Sequence, residues 1–226
     1  MTAPLPADRA YRLWAATYDV ENPVTALDQM AIERLTPQLA GTVLLDAGCG
    51  TGRRMSRARS SGAASVIGID RVHAMLVHGK RQHPDMNLVR GDFRQLPFQN
   101  RHFDVVWCRL AIGHCPDLEA AYRELARVTR RPGALVITDF HPVAAERGLQ
   151  RSFRDETGAL HVVVHHVHAA RDHERAALAA GLALETIVDY AVGPAVRRFY
   201  EAAGRLEVYE EQEGMPLVLA LRLSVP

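Results

Sequence analysis

The sequence predicts an α/β fold with a mostly parallel, doubly wound sheet, and two observations support this prediction. Short runs rich in β-branched residues alternate along the chain with longer segments whose apolar residues recur at helical spacing. In addition, a glycine-rich turn, DAGCGTG at Asp46–Gly52, follows the first β-rich run at the point where a helix would begin. Because strand–helix–strand crossovers are right-handed, such a sheet places its ligand at the carboxyl ends of the strands.

The elements of the first 140 residues follow from these patterns. Two helices, around Arg9–Thr17 and Val24–Leu39, precede the first strand and would cover the sheet. Asp117 is the predicted N-cap of the helix before the fifth strand, and Pro132-Gly133 would end that helix. The predicted parallel strands are Thr42–Asp46, Ser65–Asp70, Met86–Arg90, Phe103–Leu110 and Ala134–Phe140.

Beyond Phe140 the pattern changes. A helix at Asp172–Ala180 ends at Gly181, and two further strands are predicted at Leu182–Val192 and Pro216–Leu223, with the helix Pro194–Gly204 between them. Two strands joined by some twenty residues are expected to be antiparallel neighbours at one edge of the sheet. We expect a single domain over residues 1–226, with a helical cover at 1–40, a cofactor-binding core at 41–140 and a substrate-side segment at 141–226.

Composition excludes several classes of function. The 226 residues carry 27 basic and 26 acidic side chains, so the formal charge of +1 favours neither nucleic acid nor a membrane surface as a partner. The first 19 residues lack a continuous apolar core and no later run reaches the ~18 apolar residues of a membrane span, so we expect a cytoplasmic protein. Three cysteines, Cys49, Cys108 and Cys115, indicate reduced thiols and neither a disulfide framework nor a four-cysteine zinc site.

The glycine turn indicates a ligand that approaches the backbone closely. Glycines at 48, 50 and 52 would allow that approach and point amides at the ligand. A dinucleotide fingerprint would require glycine at position 53, where Arg53 stands, and a phosphate-binding loop would require a lysine. Twenty residues beyond Gly50, Asp70 ends the second strand, where a carboxylate can accept both hydroxyls of a ribose. Together these features favour a nucleoside without a pyrophosphate.

The motifs at these positions resemble those of a known family. DAGCGTG, VIGID, GDFRQLPF, FDVVWCRLAIGHCPD and LARVTRRPGALVITDF, within about Tyr11–Phe140, resemble the class I S-adenosylmethionine-dependent methyltransferases, in the small-molecule group of ubiquinone/menaquinone-type and biotin-pathway enzymes. The resemblance implies a Rossmann-like seven-stranded sheet with the last strand antiparallel, and S-adenosyl-L-methionine as cofactor. Two positions depart from the family pattern: Val72 replaces a capping Ser, and Ala134 replaces the second glycine of a P-G-G turn.

The same resemblance implies a cofactor site along the strand ends. Asp46 and the glycine loop would hold the methionine half, Asp70 the ribose hydroxyls, and Asp92 the adenine amino group, with Met75 against the ring. Tyr18, on a lid helix, would face the sulfonium through cation–π attraction. The full set of expected cofactor contacts is Tyr18, Asp46, Gly48, Cys49, Gly50, Asp70, Arg71, Met75, Asp92, Phe93 and Arg109.

Methyl transfer itself requires an aligned acceptor, exclusion of water and, for some acceptors, removal of a proton. His114 and His141, at the ends of predicted strands, are the candidate catalytic bases, because an imidazole with a pKa near ~6.5 can accept a proton at neutral pH. A loop histidine can equally serve as a helix cap. Kinship with quinone and carboxyl-ester enzymes favours O- or C-methylation of a small molecule by a monomer or weak homodimer. Non-methyl chemistry and a nucleoside-sensing subunit remain the alternatives.

Two further patterns concern the acceptor side. His161, His165, His166 and His168 are predicted on a polar strand beside the substrate cleft, and no acid or cysteine at ligand spacing follows to complete a metal site. On the helix at Pro194–Gly204, possible acceptor contacts are Arg197, Arg198, Phe199 and Tyr200. Adjacent arginines on a helix cannot both face a cleft, which favours a solvated face for the pair.

Overall fold

The structure, a computed structural model, describes residues 3–226 and contains a seven-stranded sheet in the order β3-β2-β1-β4-β5-β9-β8. Strands β1 to β5 are parallel, and β9 pairs antiparallel with both β5 and β8. The predicted mostly parallel sheet with an antiparallel last strand is therefore confirmed, as is the antiparallel edge pair. The strands are Val43–Ala47 (β1), Ser65–Asp70 (β2), Asn87–Arg90 (β3), Phe103–Arg109 (β4), Thr129–Phe140 (β5), Ser152–Arg154 (β6), Leu160–Val162 (β7), Ala183–Ala191 (β8) and Pro216–Val225 (β9).

Helices cover both faces of the sheet. On β4, successive side chains alternate between two hydrophobic clusters: Val105 and Trp107 pack with α2, whereas Val106 and Cys108 pack with α5. The helices are Ala7–Trp14 (α1), Pro23–Leu35 (α2), Met55–Ser60 (α3), His73–Gln82 (α4), Leu118–Val128 (α5), Pro142–Glu146 (α6), Ala170–Ala179 (α7), Pro194–Ala202 (α8) and Leu206–Gln212 (α9). None of those between residues 3 and 226 has the length and apolar character that crossing a bilayer requires.

The N-terminal helices lie beside the glycine loop. Asn22 begins α2 with a capping box, in which its side chain accepts from the Thr25 amide at 3.0 Å and Thr25 Oγ1 accepts from the Asn22 amide at 2.9 Å. A third, smaller hydrophobic cluster joins α1 to the start of α4 through Tyr11, Val72 and Met75. Helix α1 is thereby held over the carboxyl ends of the strands.

Two local predictions are wrong. Helix α5 ends at Val128 and β5 begins at Thr129, so Pro132-Gly133 lies within the strand and does not end the helix. The C-cap of the helix is Thr129, an extended residue whose hydroxyl donates to the Leu125 carbonyl at 2.7 Å, three residues before the proline.

The predicted strand through the histidine run is also wrong. Only Leu160–Val162 forms a strand, in a short antiparallel hairpin with β6, and residues 164–169 have no regular secondary structure. The His166 amide donates to the carbonyl of Gly113 at 2.7 Å, so this segment is fixed to the loop after β4 and does not join a sheet. We call residues 163–169 the strap.

Candidate functional site

Two adjoining clefts open at the carboxyl ends of the parallel strands. The glycine-loop cleft, with about 640 Å³ of empty space, is lined by the turn after β1, the ends of β2, β3 and β4, and α1. The arginine cleft, with about 1190 Å³ counting its opening to solvent, lies between the α1–α2 connection, the segment after α6, and α8 and α9. Tyr18 and Leu110 line both, so the two clefts meet at these residues.

The glycine loop follows the backbone path that its sequence predicts. Gly48 and Gly50 have φ values of +79° and +59°, which residues with a side chain rarely adopt. A β-carbon at Gly48 would lie 2.4 Å from the Ala111 Cβ, and one at Gly50 would lie 3.1 Å from the Tyr18 Cε1. Glycine at these two positions therefore lets Ala111 and Tyr18 approach the loop backbone closely, and both glycines line the cleft.

Asp70 joins the loop to the second strand. Its Oδ2 accepts from the Gly50 amide at 2.9 Å and its Oδ1 from the Val72 amide at 2.8 Å. Burial raises the pKa of this carboxyl, while the two amide bonds oppose the shift. Asp70 lines the glycine-loop cleft, and each carboxylate oxygen can accept more than one hydrogen bond, so the group has capacity left for a ligand. The Val72 contact also explains how α4 begins without a capping side chain at position 72.

Asp46 is a buried acid with an unsatisfied oxygen. It lines a small cavity that shares Tyr18, Gly48 and Arg109 with the glycine-loop cleft, and its side chain is 2% exposed. The Oδ1 atom has no hydrogen-bond partner among the described residues, and burial raises the pKa of this carboxyl to about 6. Because buried polar atoms are almost always paired, this oxygen is suited to a ligand donor such as an ammonium group.

A buried ion network lies beneath the point where the clefts meet. Asp28, fully buried on α2, accepts from Arg109 at 2.8 Å, from Arg54 at 2.9 Å and from the Thr138 hydroxyl at 2.6 Å. Burial alone would raise the pKa of Asp28, but the charges and hydrogen bonds of its partners lower it. The Nε and Nη1 atoms of Arg109 have no partner in the described chain.

Asp28 was not among the residues predicted from the sequence, and Arg109 was expected only as a cofactor contact. The sequence did contain a feature that indicates a buried acid. Asp28 lies among Leu27, Ala31 and Ile32 on the apolar face of a predicted helix. An acid at such a position is costly to bury unless a cation pairs with it.

The outer end of the glycine-loop cleft carries paired charges. Asp92 Oδ1 accepts from Arg94 Nε at 2.9 Å, and this bond lowers the pKa of Asp92. Arg71 pairs with Asp8 of α1 at 2.6 Å, so this expected contact also lies in the lining. Met75 is 1% exposed and packs beneath the loop within the third hydrophobic cluster, outside the lining of this cleft.

His114 belongs to a chain of three polar side chains. Its Nδ1 lies 3.3 Å from the Val164 carbonyl, which can only accept, so Nδ1 carries the proton and Nε2 accepts from the Tyr11 hydroxyl at 2.8 Å. Arg151 Nη2 donates to the same hydroxyl oxygen at 3.0 Å. Burial, reinforced by the charge of Arg151, lowers the pKa of His114 to about 3, so the ring is neutral at physiological pH.

His141 occupies a different environment. Its Nδ1 accepts from the Val143 amide at 3.1 Å and caps α6, which leaves Nε2 as the donor toward Asp189 Oδ1 at 3.2 Å. It is 7% exposed and lies outside the lining of both clefts. The structure thus brings His114, but not His141, to the candidate site.

The histidine run makes structural contacts. His165 and His173 flank the buried Asp139, each with an Nε2 to carboxylate distance of 3.5 Å. His168 Nε2 lies 2.9 Å from the Cys115 carbonyl, and His161 pairs with Asp155 at 2.7 Å. Within residues 3–226 no group of three or more metal-ligating side chains is suitably placed for an ion. These contacts fasten the strap to the ends of β4 and β5.

The predicted acceptor contacts on α8 separate into two sets. Tyr200 lines the arginine cleft, whereas Arg197 pairs with Glu201 at 2.9 Å and Arg198 lies 3.9 Å from Glu21, both on the exposed face of the helix. The arginines that do line the arginine cleft are Arg54, Arg151 and Arg205, which the sequence analysis did not single out.

Comparisons with known proteins relate this chain to methyltransferases. Residues 45–137 match the family model described as a methyltransferase domain. A demethylmenaquinone methyltransferase of Renibacterium salmoninarum is 34% identical over 134 residues, covering 57% of this chain and 56% of its own. A malonyl-[acyl-carrier protein] O-methyltransferase of Yersinia pestis is 33% identical over 129 residues, covering 57% of this chain and 48% of its own. The chain thus spans about half the length of the curated relatives it matches.

The fold is shared with solved structures. The crystal structure of an S-adenosylmethionine-dependent methyltransferase from Mesorhizobium loti superposes with a TM-score of 0.70 at 21% sequence identity, covering 88% of this chain and 97% of the other. At this identity the likeness shows the architecture, including the parts of the chain outside the family model.

Proposed function

We propose that this chain is a class I S-adenosylmethionine-dependent methyltransferase, with S-adenosyl-L-methionine as its cofactor, and that it methylates an oxygen or carbon atom of a small-molecule acceptor. One observation carries the proposal. The ends of the adjacent strands β1 and β2 place Asp46, with its unpaired oxygen, and Asp70 on either side of a glycine loop that lines the cleft. A ligand with an ammonium group and a ribose fits these two acids.

The residues present fit this cofactor along its whole length. Asp46 would accept from the ammonium of the methionine half, and Arg109, which lines the same cavity and has two nitrogens without a partner, would bind the carboxylate. Asp70 would accept from the ribose hydroxyls, while Asp92 and Phe93 would receive the adenine. When bound, the cofactor supplies a sulfonium-activated methyl group.

The acceptor would enter through the arginine cleft. Its reacting atom would lie where this cleft meets the glycine-loop cleft, beside Tyr18 and Leu110. Tyr18 makes edge-to-face ring contacts with Tyr11 and Trp14, with centroids 5.8 and 5.2 Å apart, so α1 and its aromatic residues exclude water from this point. Positioning and water exclusion are the main contributions that the protein makes to such a transfer.

Proton removal would pass through Tyr11. The Tyr11 hydroxyl already donates to His114 Nε2, so an acceptor O–H could give its proton to the Tyr11 oxygen as the Tyr11 proton moves to His114. The Arg151 contact to the same oxygen would stabilise negative charge there. Because the pKa of His114 is about 3, the imidazolium would form only together with methyl transfer.

Calorimetry with S-adenosylhomocysteine tests the cofactor site. Asp70→Asn should weaken binding by about tenfold to a hundredfold, since hydrogen bonds to a charged group are worth ~1.5–3 kcal/mol. The matched control is Asp85→Asn, an exposed acid before β3, which should bind like the unsubstituted protein. Equal affinity of the two variants would remove Asp70 from the ribose site.

Turnover is tested separately with S-adenosylmethionine that carries a deuterated methyl group, incubated with a metabolite extract. A labelled product identified by mass spectrometry and NMR distinguishes a methyl group on oxygen from one on carbon. Cofactor binding without a labelled product or release of S-adenosylhomocysteine would favour the non-methyl alternatives.

A further inference from the structure

The arginine cleft has an unusual charge distribution. Three arginines, Arg54, Arg151 and Arg205, line it, and within the described chain its lining contains no Asp or Glu. The remaining lining includes four aromatic rings, those of Trp14, Tyr18, Phe140 and Tyr200. A cavity of one charge sign with low-dielectric walls concentrates ligands of the opposite sign.

Neither Arg151 nor Arg205 has a carboxylate partner in the described chain, and of these two arginines Arg151 is the less exposed. Among the described residues no carboxylate lies within 4.0 Å of its guanidinium, and its buried Nη1 has no hydrogen-bond partner. Arg54, by contrast, pairs with Asp28 at 2.9 Å, a carboxylate that it shares with Arg109. Since an unpaired charge that is partly removed from water is costly, the environment of Arg151 is that of a site completed by an anion.

The position of Arg151 relates this charge to the reaction site. Its Nη2 donates to the Tyr11 hydroxyl, which lies in the lining of the glycine-loop cleft, while the arginine itself lines the arginine cleft. Arg205, at the start of α9, approaches the same cleft from the solvent side and is exposed. An anionic group bound by Arg151 would therefore lie close to the junction of the clefts, with an apolar body against the aromatic rings.

We propose that the methyl acceptor is an anion with an aromatic or apolar body, and that Arg151 binds its carboxylate or phosphate group. The inference rests on the methyl-transfer function proposed above. A planar guanidinium matches both kinds of oxyanion, so the shared chemistry is an oxyanion that accepts paired N–H bonds.

Binding to protein saturated with S-adenosylhomocysteine tests the proposal without requiring turnover. The probes are 2-naphthoate, 2-naphthyl phosphate and the neutral 2-naphthamide, titrated by calorimetry and followed by ligand-observed NMR. At least one of the two anions should bind about tenfold or more tightly than the amide, in line with charge-assisted hydrogen bonds. The anion that binds more tightly, 2-naphthoate or 2-naphthyl phosphate, identifies the preferred oxyanion as carboxylate or phosphate.

Variants then locate the contact. Arg151→Gln should reduce anion binding to the level of the amide, Arg151→Lys should retain part of the preference, and Arg205→Gln should have a smaller effect than Arg151→Gln. The matched control is Arg59→Gln, an exposed arginine on α3 far from the lining. If Arg151→Gln does not fold, as judged by circular dichroism, the unsubstituted protein and Arg151→Lys still decide the question.

Three results would overturn the proposal. The first is anion binding no tighter than amide binding, or no detectable binding of either anion. The second is an equal loss in Arg59→Gln, and the third is a loss of S-adenosylhomocysteine affinity in Arg151→Gln with anion binding unchanged. A retained anion preference without any methyl transfer would instead refute the proposed function alone.

Discussion

The two clefts differ in how their charges are balanced. In the glycine-loop cleft, acids and arginines occur together and several are paired, as in Asp92 with Arg94 and Arg71 with Asp8. The arginine cleft contains cations and no acid in its described lining. A lining of mixed sign suits a ligand that carries both signs, and a lining of one sign suits a counter-ion. The comparison indicates that two chemically different ligands meet at Tyr18 and Leu110.

Replacing Asp28 should produce the largest effect, because this acid supports both clefts. Asp28→Asn leaves Arg54 and Arg109 without their carboxylate, and breaking a buried ion pair typically costs about 3–5 kcal/mol. The free energy of unfolding, measured by urea denaturation, should fall by about that amount. Asp85→Asn, which removes an exposed acid, should change it little.

The pH dependence of stability gives an independent check on Asp28. Its folded pKa is lowered, so its contribution is present above the unfolded pKa of ~3.9 and is lost as the pH falls through the still lower folded pKa. The difference between the unsubstituted protein and Asp28→Asn should therefore shrink in strong acid. A difference that is constant down to the lowest pH would show that Asp28 is not the ionised centre of the network.

The next test concerns the hydroxyl of Tyr11, which lines the glycine-loop cleft and accepts from Arg151 of the arginine cleft. Tyr11→Phe removes the group between Arg151 and His114 but keeps the ring, so the turnover number should fall by about a hundredfold, at the lower end of the range for general acid–base catalysis. The affinity for S-adenosylhomocysteine should change much less. Single-turnover kinetics with the identified acceptor would measure the first quantity and calorimetry the second.

The pH profile separates this mechanism from an ordinary histidine base. Since the pKa of His114 is lowered to about 3, its neutral form is fully present above pH 5 and the rate should show no inflection near pH 6.5. A loss of activity below pH 6.5 that disappears in His114→Gln would instead support the unperturbed base expected from the sequence.

Asp46 provides a test of the acids that would bind the cofactor. Because its pKa is raised to about 6, the carboxyl becomes protonated below that pH and cannot accept as an anion from the cofactor ammonium. Affinity for S-adenosylhomocysteine should therefore fall by about tenfold per pH unit below pH 6. Asp46→Asn should weaken binding at pH 7.5 and flatten this dependence, whereas an unchanged pH dependence would place the titration elsewhere, for example on Asp70.

Replacing His141, which lies outside the lining of both clefts, should have the smallest effect. His141→Ala removes a side-chain cap of α6 and should cost about 1 kcal/mol of stability, as for other N-caps, with the turnover number unchanged. Thermal denaturation and steady-state kinetics measure the two quantities. A large loss of turnover without loss of stability would restore His141 as a catalytic residue.

Local patterns were reliable where one element determines its own geometry. The bounds of β2 agree with the prediction at both ends, and the spacing of Gly50 and Asp70 anticipated two residues that are hydrogen-bonded across adjacent strands. The strap was predicted poorly, because the alternation of HVVVHHVH is typical of a strand but the chain there finds its partners in Gly113, Cys115 and Asp139. Periodicity cannot reveal which neighbour a segment will meet.

The strand and helix patterns of the sequence were enough to predict the mostly parallel sheet, the glycine turn and the acids at the strand ends, since each of these features depends on residues close together in the chain. Only the tertiary structure decided which charges meet. Asp28 and Arg109 are separated by 81 residues in the sequence. Tyr11 is separated from His114 by 103 residues and from Arg151 by 140 residues. Such contacts depend on how helices and loops pack over the sheet, so their charge balance, and with it the candidate anion site, is set by folding.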